Sequence, residues 1–218
     1  MRLRRFLLLI CFLAGTVAYS QYSLVDSIPY SADTRLEDGI FLTHLDFRWN
    51  KAVRKAQIVS ELDREQLEFI GKTLFEEHFS YEEENTVIRV ASKNVWGYVQ
   101  NNTLYVNYKG DFYRVPVFGS ISYLVATVTV VTPGFYDPRF GMYTGTGTTR
   151  ELREFVMDFY DGQMVEFKPQ TVEKLLARDP GLYGEYTKLN RRKQKEQVYA
   201  YIRKYNTLHP VYFLITKG

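Results

Sequence analysis

The chain has 218 residues, 45% hydrophobic and 24% charged, which excludes a disordered protein and permits a buried core without covalent staples. Its formal charge of +3 traces to Arg2, Arg4 and Arg5, in a stretch of twenty residues that contains no acid. Beyond them basic and acidic residues balance, which removes bulk charge as a reason to expect nucleic-acid binding.

Residues 1–20 have the three parts of an export signal. Arg2, Arg4 and Arg5 form the positive region, Phe6 to Leu13 the apolar run, and Ala18-Tyr19-Ser20 the small-residue site that leaves Gln21 as the new N-terminus. The run is too short for an ordinary membrane span. Cys11 lies inside the run, after Leu9 and Ile10, and so does not fit a lipid-attachment site. It is the only cysteine, so a chain beginning at Gln21 has no disulfide, thiolate nucleophile or Cys-ligated zinc. A cysteine-free exported domain fits the periplasm or cell envelope of a Gram-negative bacterium better than a eukaryotic secretory route. There the Asn101-Asn102-Thr103 sequon reads as a turn.

Residues 21–38 are polar and turn-rich, an extended lead-in to one domain over 39–218. Residues 39–43 read as a short strand, and Thr43 with Asp46 as a capping box starting a helical turn through Trp49. Ser60-Glu61-Leu62-Asp63 signals a helix over 62–76, with Leu62, Phe69, Ile70 and Leu74 at helical spacing and Gly71 against it. The period then becomes two. Strands are expected over 86–91, 95–99, 104–108 and 112–118, with Asn101-Asn102 and Lys109-Gly110 as turns and Pro116 marking an edge or bulge. Residues 120–132, long and β-branched, read as a buried central strand. Residues 133–149 form a long loop, with Gly134, Gly141, Gly145 and Gly147 interleaved with Phe135, Tyr136, Phe140 and Tyr143. Strands over 151–160 and 164–167 flank the hairpin signal Asp161-Gly162. Three helices follow: one from Pro169 to Asp179, one around Leu182 to Leu189, and one from Arg191 to Tyr205 with the stripe Val198, Tyr201, Ile202 and Tyr205. A strand over 211–215 ends the chain, and no internal repeat is present.

Few residues suggest chemistry. His44, His78 and His209 fit no zinc spacing. His44-Leu45-Asp46 reads as an exposed turn, and His209 before Pro210 as a helix exit with no serine or carboxylate tied to it by sequence. Gly141 to Gly147 lacks the lysine of a phosphate loop, and there is no G-x-S-x-G elbow. The pairs Asp158/Asp161 and Glu151/Glu154 read as turn and solvated charge, not as a glycosidase pair. Glu82-Glu83-Glu84 reads as a solvated loop without calcium spacing. No metal or cofactor is expected.

Two features stand out. Lys188, Arg191, Arg192, Lys193, Lys195, Arg203 and Lys204 face one acid, Glu196, and put a cationic face on the last helix. Arg191, Arg192, Lys193 and Lys195 are thereby candidates for peripheral membrane contact. Aromatic residues make up 16% of the chain. Alternation puts Trp96 and Tyr98 on one strand face and separates Tyr105 from Tyr108. Such rings line cores through cross-strand pairs, or stack on glycans and grip peptide strands.

Residues 95–107, from Val95-Trp96-Gly97-Tyr98 to Leu104-Tyr105-Val106-Asn107, continue through Phe112-Tyr113-Arg114 to Gly119-Ser120-Ile121. With Asp179-Pro180-Gly181-Leu182-Tyr183, Tyr201 to Asn206 and His209-Pro210, this segment resembles uncharacterised exported proteins of Bacteroidetes-type bacteria. The resemblance spans residues 36–214, least clearly over 133–149. It implies export and a strand-then-helix order, and brings no catalytic residues.

The resulting expectation is an α+β fold, an antiparallel β-meander packed with a C-terminal three-helix segment. The expected function is non-enzymatic binding or structure in the envelope, with an envelope protein or glycan as partner and no nucleic acid. Phe135, Tyr136, Phe140, Tyr143, Trp96 and Tyr98 are the candidate binding residues. The alternative is a periplasmic or secreted hydrolase using His or carboxylate groups.

Overall fold

The computed structural model describes residues 25–30, 36–143 and 145–216; the export signal expected over 1–20 lies outside them. β1 (Val25–Pro29) and β2 (Gly39–Phe41) precede α1 (His44–Arg48). Thr43 caps α1: its Oγ1 accepts from the Asp46 amide at 3.1 Å while Asp46 Oδ2 accepts from the Thr43 amide at 2.9 Å. The two bonds satisfy orphan donors reciprocally, as expected from the sequence. β3 (Val53–Arg54) and β4 (Ile58–Val59) follow.

α2 covers only Phe69–Phe75, which corrects the helix expected over 62–76. Ser60 Oγ accepts from the Leu62 amide at 3.1 Å and Asp63 Oδ1 from the Glu65 amide at 3.0 Å. Both side chains close local turns, the competing use of the same oxygens that cap helices. β5 (His78–Glu83) and β6 (Thr86–Ala91) then form a hairpin turning at Glu84 and Asn85. Glu82 and Glu83 therefore end a strand rather than lie in a loop.

The expected meander is present as β7 (Gly97–Gln100), β8 (Thr103–Tyr108) and β9 (Asp111–Arg114). Asn101 and Asn102 sit at φ 52° and 56°, the left-handed pair that a tight hairpin needs and that asparagine tolerates. β9 stops short of Pro116, which has no amide to donate. A long antiparallel hairpin comes next, β10 (Ile121–Thr132), with a small hairpin of β11 (Tyr136–Asp137) and β12 (Met142–Tyr143) at its end, returning through β13 (Gly147–Asp158). β14 (Met164–Glu166), α3 (Pro169–Leu176), α4 (Pro180–Thr187), α5 (Arg191–Leu208) and β15 (Tyr212–Thr216) complete the chain. β15 pairs antiparallel with β1.

The main sheet has strand order β3-β2-β7-β8-β9, and a second has β10-β13-β14. A first core lies between them, with Phe41, Phe47, Val99, Leu104, Leu124 and Phe155 buried together. The opposite face of the main sheet meets α2 and the sheet β4-β5-β6 through Ile40, Ile58, Phe69, Ile70, Phe79 and Tyr98. A third core joins the β10–β13 sheet to the helices through Ile121, Val156, Leu176, Tyr186, Val198 and Ile202. The fold is α+β, antiparallel sheets with the three C-terminal helices packed on one of them.

Two corrections bear on the site. Trp96 and Tyr98 do not share a face: Trp96 packs on the first core and Tyr98 in the second. The alternation slips at Gly97, where a Cβ would stand 2.5 Å from the Tyr105 carbonyl oxygen, so only glycine lets the strands approach there. β10 is also not a buried central strand. It is an outer strand of its sheet, and Val131 and Thr132 at its far end are exposed.

Candidate functional site

β10 and β13 pair without a break from Ile121↔Asp158 to Thr132↔Gly147. Directly opposed residues share a face. One face carries Leu124, Ala126, Val128, Phe155 and Met157 into the first core. The other carries Ile121 and Val156 against the helices. Beyond Val130 neither core reaches, and the ribbon continues as an arm whose residues 131–132 and 147–152 are exposed. The sequence favours this extended form, because Thr127, Thr129, Val130, Val131, Thr132, Thr148 and Thr149 are β-branched.

The expected loop over 133–149 is thus largely structured, and its aromatic residues occupy the tip of the arm. Tyr136 pairs with Tyr143 and Asp137 with Met142. Asp137 closes the turn by accepting the Arg139 amide on Oδ1 at 2.9 Å and the Phe140 amide on its carbonyl at 3.3 Å. Tyr143 donates its hydroxyl to the Gly134 carbonyl at 3.2 Å. These bonds hold the side chains outward: Phe135 is 62% exposed, Tyr136 60%, Phe140 75%, Met142 65% and Tyr143 67%. Sequence reasoning missed Met142, which joins the four aromatics only because β12 pairs in register opposite Asp137.

Trp96 and Tyr98 are not brought to this tip. Trp96 stacks on Phe47 with centroids 4.8 Å apart and lies 5.3 Å from His44. Tyr98 stacks on Tyr105 at 4.7 Å with an interplanar angle of 6°. Its burial and the neighbouring Tyr105 push its pKa up to about 12. Tyr98 and Tyr105 do line a cleft of about 320 Å³ with Phe75, Lys72, Glu68 and Gln100, a second aromatic surface on the far side of the main sheet.

The polar groups weighed for catalysis are committed elsewhere. His209 Nε2 lies 2.8 Å from Asp179 Oδ2, a pairing across 30 residues that no local spacing signals. The Leu182 amide, then His209, holds the Asp179 carboxyl below its usual range. Ser120 is nearby but buried, and its hydroxyl donates to the His209 carbonyl at 2.6 Å, not to the ring. Asp158 is buried in an ion pair with Arg178 and accepts the Tyr160 amide at 3.0 Å. Asp161 accepts the Gln163 amide at 2.9 Å within its turn. Glu151 and Glu154 lie on opposite faces of β13, so they do not flank one site. Glu154 instead accepts hydroxyls from Tyr123 at 2.6 Å and Tyr199 at 2.9 Å. Among the described residues no group of three or more His, Cys, Asp or Glu side chains could hold a metal ion.

The basic side chains of α5 are exposed, as its stripe Val198, Ile202 and Tyr205 turns inward. Arg192 pairs with Glu196 at 2.9 Å, and Arg191, Arg192, Lys195 and Glu196 line a cleft of about 460 Å³. Among the described residues no carboxylate pairs with Arg191, Lys193 or Lys195. Arg191, Arg192 and Lys193 lie in the first turn of α5, where basic side chains oppose the helix dipole. Comparison with protein-family models, with curated proteins and with solved structures finds no match for the chain.

Proposed function

We propose that this chain is an exported cell-envelope protein with a non-catalytic docking role, performed by the β10–β13 arm and its aromatic tip. The observation that carries the reading is the tip itself. Five large apolar side chains are held in solvent by backbone pairing and turn hydrogen bonds at the end of a two-stranded arm. Large apolar side chains concentrated at one exposed end favour aggregation unless a partner covers them. The export pattern of residues 1–20 supports the envelope as the place where that partner is met.

The test is to replace residues 133–146 by Asn-Gly, a two-residue turn matched to the Thr132↔Gly147 pair. The shortened chain is expected to melt as the parent does and to lose co-fractionation with the envelope of the expressing cells. Retained co-fractionation, or an unfolded product, overturns the proposal. Mass spectrometry of the exported chain is expected to find Gln21 at the N-terminus, and an intact Met1 refutes the export reading.

A further inference from the structure

We infer that the surface docked by the arm is an anionic lipid bilayer, entered by the aromatic tip and held by the basic face of α5. The inference rests on the docking reading above and adds the chemistry of the partner.

The direction of α5 ties the two features together. Asn206 makes a reciprocal pair of hydrogen bonds with Ile121, at 2.8 and 2.9 Å, at the root of the arm. Seven residues earlier, Tyr199 donates to Glu154, which is opposite Val125 further out on the arm. Followed from Asn206 back toward Arg191, α5 therefore travels the same way as β10 from Ile121 toward Thr132. At about 1.5 Å per residue, Arg191 lies about 12 Å beyond Tyr199 in that direction. The β10–β13 ribbon continues about 23 Å from Val125 to Thr132, where the arm carries on to the tip. Along that direction the basic side chains stand about 11 Å short of Thr132, so they and the tip meet one bilayer surface when the arm leans on it with its α5-facing side. The arm face turned toward α5 also exposes Val125, Leu152 and Val131 between them.

This arrangement suits a bilayer better than a folded partner. Residues 133–149 contain only two charges, Asp137 and Arg139; because burying either is costly, the tip enters to the headgroup–acyl boundary, where both stay hydrated. Phe and Met supply the apolar part, and Tyr136 and Tyr143 have the apolar body and polar end that settle at lipid–water interfaces. Binding of this kind adds apolar insertion to attraction between basic side chains and anionic headgroups, the latter confined to about a Debye length. The neutral tip and the basic surface behind it divide those two contributions between them.

The test uses the purified chain, its N-terminus read by mass spectrometry, with vesicles of phosphatidylcholine alone or mixed with phosphatidylglycerol. Binding is expected only to the anionic vesicles and is expected to weaken with salt. Replacing Phe135, Tyr136, Phe140 and Tyr143 by serine should reduce it about a hundredfold. Arg191→Glu with Lys195→Glu should reduce it about tenfold or more and remove the preference for phosphatidylglycerol. Phe140→Trp provides a check that does not depend on folding of the multiple variant. Its emission should shift to the blue on mixing with anionic vesicles, whereas the parent's Trp49 and Trp96 should not respond. Vesicle binding unchanged by the tip substitutions, or no shift from Phe140→Trp, overturns the inference. If the parent ignores vesicles while the serine variant loses envelope association, the partner is a protein or glycan; the lipid inference then falls and the docking reading stands. If envelope association is also unchanged, both fall.

Discussion

The two halves of the β10–β13 hairpin have the same pairing and much the same β-branched composition, yet opposite surroundings. From Ile121 to Val130 the ribbon is a wall between two cores, with Leu124 and Ala126 fully buried on one face and Ile121 and Val156 on the other. From Val131 outward the same ladder runs on with exposed residues on both faces, to a tip whose large apolar residues are mostly exposed. An isolated two-stranded ribbon is marginal in water. The outer half therefore depends on the inner half to set its register and on strand-favouring residues to stay extended. Core and arm are one element, built so that stability is concentrated at the root and apolar surface is offered at the end.

That division is broken most severely at the root. Leu124 is completely buried and faces Phe155 across the strand pair. Leu124→Ala should cost about 2–5 kcal/mol, the spread reflecting how far the site can collapse. Chemical denaturation measures it. A loss below about 1 kcal/mol would show that the root does not anchor the arm.

How much of this was legible follows from the range of the interactions. The Thr43–Asp46 box, the Asn101-Asn102 turn, the Asp161-Gly162 turn and the three C-terminal helices all rest on contacts a few residues apart, and the sequence announces them. The α2 start did not, because Ser60 and Asp63 make the same bond in a turn as at a cap. β5 was obscured by Glu82 and Glu83, although Phe79 and Tyr81 alternate as a strand should. At the candidate site the tip aromatics stood out in the sequence, but their platform did not. Nothing local shows that residues 147–149 pair with 130–132, or that Asn206 fastens α5 to Ile121. Gly119 shows the same limit: a Cβ there would stand 2.5 Å from Asn206 Nδ2, a contact 87 positions along the chain.

A smaller effect is expected at the junction of the first core with the Asp161-Gly162 turn. His44 lies 5.3 Å from Trp96 and against Gly162, where a Cβ would stand 2.6 Å from the imidazole Cγ. Burial, with Arg48 adding, pushes its pKa below the ordinary histidine value, against a hydrogen bond with the Phe159 backbone and the charges of Asp161 and Asp158. The unfolded chain then binds the proton more readily than the folded one. Stability is level above the ordinary histidine value and falls as pH drops from there through the lowered folded value. His44→Phe should remove that decline, seen as a smaller fall in melting temperature between about pH 7 and pH 5. Equal falls in parent and variant would mean that His44 is not the titrating group. The effect belongs to the root, because no histidine lies in the arm beyond it.

The finest contrast lies three residues apart on one strand. Val128 is 8% exposed and packs in the first core, while Val131 is 58% exposed on the arm. Val→Thr keeps the shape of the side chain and its preference for strands, so it changes little except the polarity of one group. At Val128 the hydroxyl enters an apolar site, and a loss of about 1–3 kcal/mol is expected. At Val131 water meets it, and the change should stay within about 0.5 kcal/mol. Phe140→Ser should be equally silent in the melt, since its ring is 75% exposed and surface substitutions away from packed features cost little. Equal losses at Val128 and Val131 would mean that the arm folds back on the body in solution, and its apolar end would then be core rather than docking surface. A loss at Val128 alone leaves the outer half energetically free, so that any effect of Val131 or Phe140 on envelope association reports on the partner and not on the fold.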